Sequence, residues 1–131
     1  MIVVDTSAMV AIVRREHEAD TFRQRLASSS QKVMSALNVL ETRVVLGGGR
    51  ETPAVALFEA WLKTDTVEIA PFDAAMADAA FAAYSRYGKG VHPKARLNLS
   101  DCAAYALAKA LDAPLLFKGA DFRHTDVTPA L

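Results

Sequence analysis

Two acidic residues directly follow segments that have the composition of buried strands. Asp5 ends the β-branched run at residues 2–4, and Asp121 follows the apolar run at 115–117 across the turn 118–120. In a parallel sheet, ligands bind beyond the carboxyl ends of the strands, so acids at these positions are candidates for chemistry. Each acid alone could equally be a helix cap or turn residue that accepts backbone N–H bonds.

Glu41 is a third candidate because of its surroundings in a predicted helix. Its neighbours three or four residues away are apolar apart from one amide: Leu37, Asn38, Val44 and Val45. This spacing predicts that Glu41 lies on the apolar face, where a carboxylate must be paired, protonated or bound to a cation. The alternative is a Glu at the edge of that face, which reaches water or pairs with Arg43.

Asp101 lies in the first turn of a helix predicted at 100–111, where the helix dipole favours an anion. That position suits a structural carboxylate, and equally a metal-bound carboxylate or a phosphate. Four acids at one sheet edge would repel each other by roughly a few kcal/mol per close pair, so they would need cations. Oxygen ligands without Cys or paired His favour Mg²⁺ or Mn²⁺, ions that activate water and neutralise phosphoryl charge.

The elements that would position these acids alternate between strands and helices, which predicts an α/β fold with a parallel sheet and right-handed crossovers. Strands are predicted at residues 2–4, 32–35, 67–69, 115–117 and around 126–127. Helices are predicted at 8–13, with Thr6 and Ser7 as possible caps, and at 16–27, 36–46, 52–62, 73–87 and 100–111.

Length and composition indicate one globular domain spanning residues 1–131, with 52% hydrophobic residues available for a core. Fifteen Lys and Arg balance fifteen Asp and Glu, so any nucleic-acid surface must come from local clustering of cations. The single Cys102 suits a reducing compartment such as the cytoplasm. No apolar run reaches the roughly 18 residues that a membrane-spanning helix needs, and we expect a soluble protein.

The chain resembles PIN domains, and most closely the VapC-type ribonuclease toxins of bacterial toxin–antitoxin pairs. The resemblance spans nearly the whole chain, because four blocks occur in the family's order. These blocks are Ile-Val-Val-Asp-Thr-Ser-Ala at 2–8, Ser-Ala at 35–36 followed by Glu41, Leu-Asn-Leu-Ser-Asp-Cys-Ala-Ala-Tyr-Ala at 97–106, and Phe-Lys-Gly-Ala-Asp-Phe at 117–122.

The resemblance implies a three-layer α/β/α fold with a central parallel sheet of four or five strands. It implies metal-dependent RNA cleavage that leaves a 5′-phosphate and a 3′-hydroxyl, a small cognate antitoxin and a homodimer. The positions implied to bind Mg²⁺, with Mn²⁺ as a possible substitute, and to be catalytic are Asp5, Glu41, Asp101 and Asp121. Supporting polar roles are implied for Thr6 or Ser7 and for Asn98. Similar toxins often have Gly at the position of Ser100, where we expect Ser to act as a helix cap.

Candidate RNA contacts are the basic residues near the predicted site, because neutralising phosphates supplies most of the affinity for nucleic acid. They are Arg14, Arg15, Arg43, Lys89, Lys94, Arg96, Lys118 and Arg123. The loop at 88–96 is the densest cluster, with three cations and His92.

Two other functions compete with this interpretation. A receiver-type phosphotransfer domain also uses Mg²⁺ and strand-end acids, but such domains typically carry adjacent acids after the first strand, and Thr6 follows Asp5 here. Glu41 would also have no role in a receiver. A PIN-like module that only binds RNA or protein is the second alternative, and the four retained acids argue against it.

Overall fold

The computed structural model describes all 131 residues. Four parallel strands form one sheet in the order β3-β2-β1-β4. The strands are β1 Ile2–Val4, β2 Lys32–Ser35, β3 Val67–Ala70 and β4 Leu115–Leu116. The α-helices are α1 Thr6–Val13, α2 Ala19–Ala27, α3 Ala36–Gly47, α4 Pro53–Leu62, α5 Ala74–Tyr87 and α6 Leu99–Ala110, and a 3₁₀ helix spans Asp121–His124.

Helices cover both faces of the sheet, which confirms the predicted three-layer α/β/α fold. Alternate strand residues point to opposite faces, so neighbouring residues of one strand belong to different cores. Ile2 and Val4 pack into a core with residues of α1 to α4. Val3 and Leu115 pack into a second core with α5 and α6. The apolar composition of β1 and β4 follows from this burial on both faces.

The predicted strand around 126–127 is wrong, so the sheet has four strands. The C-terminal segment makes only an isolated bridge, Leu115 with Pro129. The Leu115 N–H donates to the Thr128 carbonyl over 2.9 Å, and the Ala130 N–H donates to the Leu115 carbonyl over 2.9 Å. Residues 126–127 lie in a bend between the 3₁₀ helix and this bridge, so they pair with no strand.

Two predicted helix caps also differ from the structure. Asp5, rather than Thr6 or Ser7, caps α1 by accepting from the Ser7 N–H. Asn98, rather than Ser100, caps α6. In both helices the residue with extended backbone geometry and a short polar side chain takes the cap position.

The strand order also separates this chain from the receiver fold, in which the first strand lies between the second and third. No helix of the structure is long and apolar enough to cross a membrane.

Candidate metal-binding carboxylate site

The four candidate acids sit on four different elements near the carboxyl edge of the sheet. Asp5 is the first residue after β1, and Glu41 lies on α3, which follows β2 without a loop. Asp101 lies in the first turn of α6, and Asp121 begins the 3₁₀ helix that follows β4. Parallel strands bring these segments together because all their carboxyl ends share one edge.

Asp5 is a buried carboxylate, with 2% of its surface exposed. Its Oδ2 accepts from the Ser7 N–H over 3.0 Å and from the Ser7 hydroxyl over 2.6 Å. Burial raises the pKa of Asp5 to about 6, against the lowering effect of the Ser7 hydrogen bonds. The nearby charge of Glu41 raises it further, so this site disfavours an ionised Asp5 when no cation is present.

Asp101 is half-buried and forms a capping box with Asn98. Its Oδ2 accepts from the Asn98 N–H over 3.0 Å, while the Asn98 Oδ1 accepts from the Asp101 N–H over 2.8 Å. Burial raises the pKa of Asp101 to about 7, and the charges of Asp5, Glu41 and Asp121 add to the effect. The pKa of Asp101 therefore depends on the charges of all three other candidate acids.

Glu41 is half-buried and accepts a hydrogen bond from the Ser100 hydroxyl. The same hydroxyl oxygen lies 2.9 Å from Asn98 Oδ1. Ser100 thus joins α3 to the first turn of α6 and contacts a candidate metal ligand. The predicted role of Ser100 as a helix cap is therefore wrong, because its hydroxyl binds Glu41 and Asn98 is the cap.

The prediction that Glu41 lies among buried apolar neighbours is wrong. Val44 is 53% exposed and Val45 is 41% exposed. The buried face of α3 consists of Asn38, Val39, Thr42 and Leu46. The polar residues Asn38 and Thr42 lie on this face because they contact polar groups of α1 and α6. The spacing of apolar residues along one helix does not reveal such contacts.

Asn38 is the functional candidate that the sequence argument missed. Its side chain is completely buried, and its Nδ2 lies 3.5 Å from Asp5 Oδ1, 3.2 Å from Thr6 Oγ1 and 3.1 Å from the Ser100 carbonyl oxygen. Thr42 donates to the Asn38 backbone carbonyl over 2.7 Å. The available signal was a lone amide, three residues before Glu41, among the apolar residues of the first turns of α3.

Ser7 connects Asp5 to the segment that carries Asp121. The Ser7 hydroxyl donates to Asp5 and accepts from the Lys118 N–H over 3.0 Å. The Lys118 ammonium lies 2.6 Å from Glu16 and 3.3 Å from Glu18. These contacts hold the turn before Asp121 against the start of α2.

The candidate RNA-binding cations differ in whether they bind other groups of the protein. Four of them do: Arg14 donates to the Val45 carbonyl, Arg43 pairs with Glu59, Lys118 pairs with Glu16, and Arg123 packs over Phe117. Arg15 is exposed and lines a surface cleft with Glu16. The three cations of the loop between α5 and α6 are exposed and form no ion pair: Lys89, Lys94 and Arg96.

The loop between α5 and α6 has a defined shape. A bridge between Gly88 and Leu97 closes its base, and the Tyr84 hydroxyl donates to the Lys89 carbonyl over 2.8 Å. His92 Nδ1 accepts from two backbone N–H groups, those of residues 94 and 95. The loop ends one residue before the Asn98 cap, so its cations lie close in sequence to Asp101.

The donor set fits a hard divalent cation. Four carboxylates bring only oxygen ligands, and the raised pKa values of Asp5 and Asp101 identify a position where negative charge lacks a counter-ion. No three Asp, Glu, His or Cys side chains lie close enough to complete a metal site in this conformation. One oxygen of Asp101 and one of Glu41 are used in bonds to α6, and each carboxylate keeps a second oxygen.

Comparison with known proteins identifies the class. The family model for the PIN domain matches residues 2–127. The chain therefore belongs to the PIN domain family. Curated relatives include Ribonuclease VapC of Mycolicibacterium smegmatis, 45% identical over 125 residues that cover 95% of this chain and 96% of the relative. Ribonuclease VapC30 of Mycobacterium tuberculosis is 42% identical, with 95% of each chain covered.

Solved structures share the fold at low sequence identity. The toxin VapC20 of Mycobacterium tuberculosis, described as cleaving the sarcin-ricin loop, superposes with a TM-score of 0.81 at 18% identity, covering 98% of this chain and 97% of that chain. A toxin–antitoxin complex from Klebsiella pneumoniae matches with a TM-score of 0.72 at 19% identity, covering 96% and 93%.

Proposed function

We propose that residues 1–131 act as a single nuclease domain, an endoribonuclease toxin that hydrolyses RNA phosphodiester bonds with Mg²⁺ or Mn²⁺. The observation that carries this proposal is the electrostatic coupling of four acids from four elements, two of them with raised pKa values. The family membership and the relatives named ribonuclease support the same chemistry.

The residues proposed to hold the cation are Asp5, Glu41, Asp101 and Asp121. A bound divalent cation supplies charge neutralisation at the scissile phosphate and lowers the pKa of a bound water. Ser7 fixes Asp5 through two hydrogen bonds, and Asn98 fixes Asp101 through the capping box. The hydroxyl of Thr6 donates to the Asn38 carbonyl, which gives Thr6 a supporting role within the protein.

RNA binding is proposed for the basic loop between α5 and α6. Lys89, Lys94 and Arg96 carry charges that no carboxylate of the chain neutralises, so they are free to pair with phosphates. Arg43 and Lys118 already pair with Glu59 and Glu16, and phosphate would have to compete with those carboxylates. We expect neutralising the loop cations to weaken RNA binding more than neutralising Arg43 or Lys118.

The experiment that tests the activity uses purified protein and a structured RNA. We expect cleavage with Mg²⁺ or Mn²⁺, no cleavage after chelation, and recovery when the metal is restored. Asp78→Asn, an exposed acid on α5 away from the site, is the matched control for carboxylate variants. Cleavage that persists in chelator would overturn the metal assignment, and RNA binding without any cleavage would support a non-catalytic module instead.

A small antitoxin is the proposed partner, together with a second copy of this chain, in the cytoplasm. Structural neighbours include complexes described as toxin–antitoxin assemblies, which supports this proposal. We expect a basic or aromatic segment of the antitoxin to occupy the acidic site. Expression of the protein alone should slow growth, and co-expression of a small neighbouring gene product should relieve it. Unimpaired growth with folded wild-type protein present would contradict the toxin assignment.

A further inference from the structure

The buried amide of Asn38 connects the elements that carry three of the acids. Asn38 lies on α3, one turn before Glu41. Its Nδ2 faces Asp5 Oδ1 at the end of β1 and the Ser100 carbonyl oxygen beside Asp101 on α6. The Nδ2 atom of this one side chain on α3 therefore lies within 3.5 Å of oxygen atoms at the end of β1 and on α6.

The orientation of this amide is fixed by its surroundings. Nδ2 faces three acceptors, while Oδ1 is buried and has no hydrogen-bond partner. Rotating the amide by a half-turn would place Oδ1 against Asp5 Oδ1 and the Ser100 carbonyl, both of which only accept. A buried oxygen without a partner is unfavourable, so packing alone does not explain an Asn here.

We propose that Asn38 is a positioning residue that holds Asp5 in register with α3 and α6, so that the carboxylates can share one cation. This inference rests on the proposed function. Ser7 binds Asp5 Oδ2 and Asn38 contacts Oδ1, so the two residues together restrict rotation of the carboxylate. Groups that orient metal ligands in this way typically contribute about 10- to 100-fold to metal affinity or activity.

Thr42 provides a matched control. It is as completely buried as Asn38, and its hydroxyl donates to the Asn38 backbone carbonyl but has no hydrogen bond to any of the four acids. Thr42→Val removes a hydrogen bond from the same buried network at nearly constant volume. A merely structural role for the network predicts the same effect from Thr42→Val and from a change at Asn38.

The experiment compares wild type, Asn38→Leu and Thr42→Val by calorimetric titration with Mn²⁺ alone. We expect Asn38→Leu to raise the Mn²⁺ dissociation constant about tenfold and Thr42→Val to change it less than twofold. With an RNA oligonucleotide at fixed Mn²⁺, Asn38→Leu should lower kcat while KM stays nearly constant. Melting of the chelator-treated proteins reports whether each variant folds, and Asn38→Ala replaces Asn38→Leu if the larger side chain prevents folding.

Three outcomes would overturn the proposal. Equal Mn²⁺ affinity in wild type and the Asn38 variant refutes the positioning role and leaves the proposed function intact. Equal weakening by Thr42→Val and by the Asn38 variant identifies a structural network without a specific role for the amide. Failure of folded wild type to bind Mn²⁺ overturns the metal site itself, and this inference with it.

Discussion

Two clusters of this protein contain carboxylates in opposite electrostatic situations. Asp126, near the C-terminus, accepts from the Tyr105 hydroxyl and lies 3.3 Å from Lys109 and 3.7 Å from Arg86. The Tyr105 hydrogen bond, followed by the Lys109 and Arg86 charges, lowers the pKa of Asp126. Burial and neighbouring acids instead raise the pKa values of Asp5 and Asp101.

The chain's own cations and hydrogen-bond donors balance the charge of Asp126, whereas no cation of the chain balances the charges of Asp5 and Asp101. Asp126 ties the C-terminal segment to α5 and α6 with donors and cations supplied by the chain. Asp5 and Asp101 receive hydrogen bonds but no side-chain cation, and their charged neighbours are acids. An external cation would complete the second cluster, whereas the first is already complete.

Activity should give the largest contrast between the clusters. Asp101→Asn should lower RNA cleavage about 100-fold or more, because a metal ligand supports several kcal/mol of transition-state stabilisation. Asp126→Asn should leave the rate within about twofold, since Asp126 contacts none of the four acids. Single-turnover cleavage with saturating Mg²⁺ measures both. A similar loss of activity in the two folded variants would show that the two clusters do not differ in their contribution to RNA cleavage.

The pH dependence of stability should differ in sign between the clusters. Asp5 and Asp101 have folded pKa values of about 6 and about 7, above the ordinary value of 3.8, so the metal-free native state binds more protons than the unfolded chain. Their contribution to the free energy of unfolding is present below about pH 4 and is lost as pH rises to about 7.

Asp126 contributes in the opposite direction, because its folded pKa is lowered. Its stabilisation is present above the unfolded pKa and is lost as pH falls through the folded value. Urea unfolding of chelator-treated protein between about pH 2 and pH 8 measures both slopes, with Asp126→Asn tested below about pH 4 and Asp101→Asn tested between about pH 4 and pH 7. If Asp101→Asn leaves the slope between pH 4 and pH 7 unchanged, the raised pKa of Asp101 is refuted.

Neutralising one acid of the metal-free site should stabilise the protein. Asp101→Asn removes repulsion from Asp5, Glu41 and Asp121, while the Asn side chain can still accept from the Asn98 N–H. Loss of the favourable helix-dipole interaction, typically below about 1 kcal/mol, opposes this gain. We expect the melting temperature at pH 7.5 in chelator to rise by about 2–5 °C, as a gain of about 1 kcal/mol would produce.

Added Mg²⁺ should reverse that order, because the wild type gains binding energy that the variant has lost. Thermal melting with and without Mg²⁺ measures both effects. A metal-free variant that melts well below wild type, together with no Mg²⁺ effect on either protein, would identify Asp101 as a structural cap.

The smallest effect should come from the neutralised cluster. Asp126→Asn removes the charge that pairs with Lys109 and Arg86 but keeps an acceptor for Tyr105, so we expect a destabilisation of less than about 1 kcal/mol. The partly exposed ion pairs should contribute less at high salt. Chemical denaturation at low and high salt measures this loss, and an unchanged stability at both would show that the cluster is energetically neutral.

Much of the architecture was predictable because its signals are local. β-branched and apolar residues predicted all four observed strands, and Gly48, with a φ of 59°, ends α3 close to the predicted end at residue 46. The segment around 126–127 forms a bend instead of the predicted strand, and only the residues that follow it meet β4.

The sequence by itself determined which acids follow strands or begin helices, because strand composition and helix caps depend on neighbouring residues. Parallel topology then makes the carboxyl ends converge, so Asp5 and Asp121 could be named without coordinates, whereas Glu41, in the middle of a helix, was implied by the family resemblance. Only the tertiary structure decided what surrounds them. Asn38 meets Asp5 across 33 residues, Ser100 meets Glu41 across 59, and Lys118 meets Glu16 across 102. Such contacts arise from packing between elements, which no local pattern of residue types encodes.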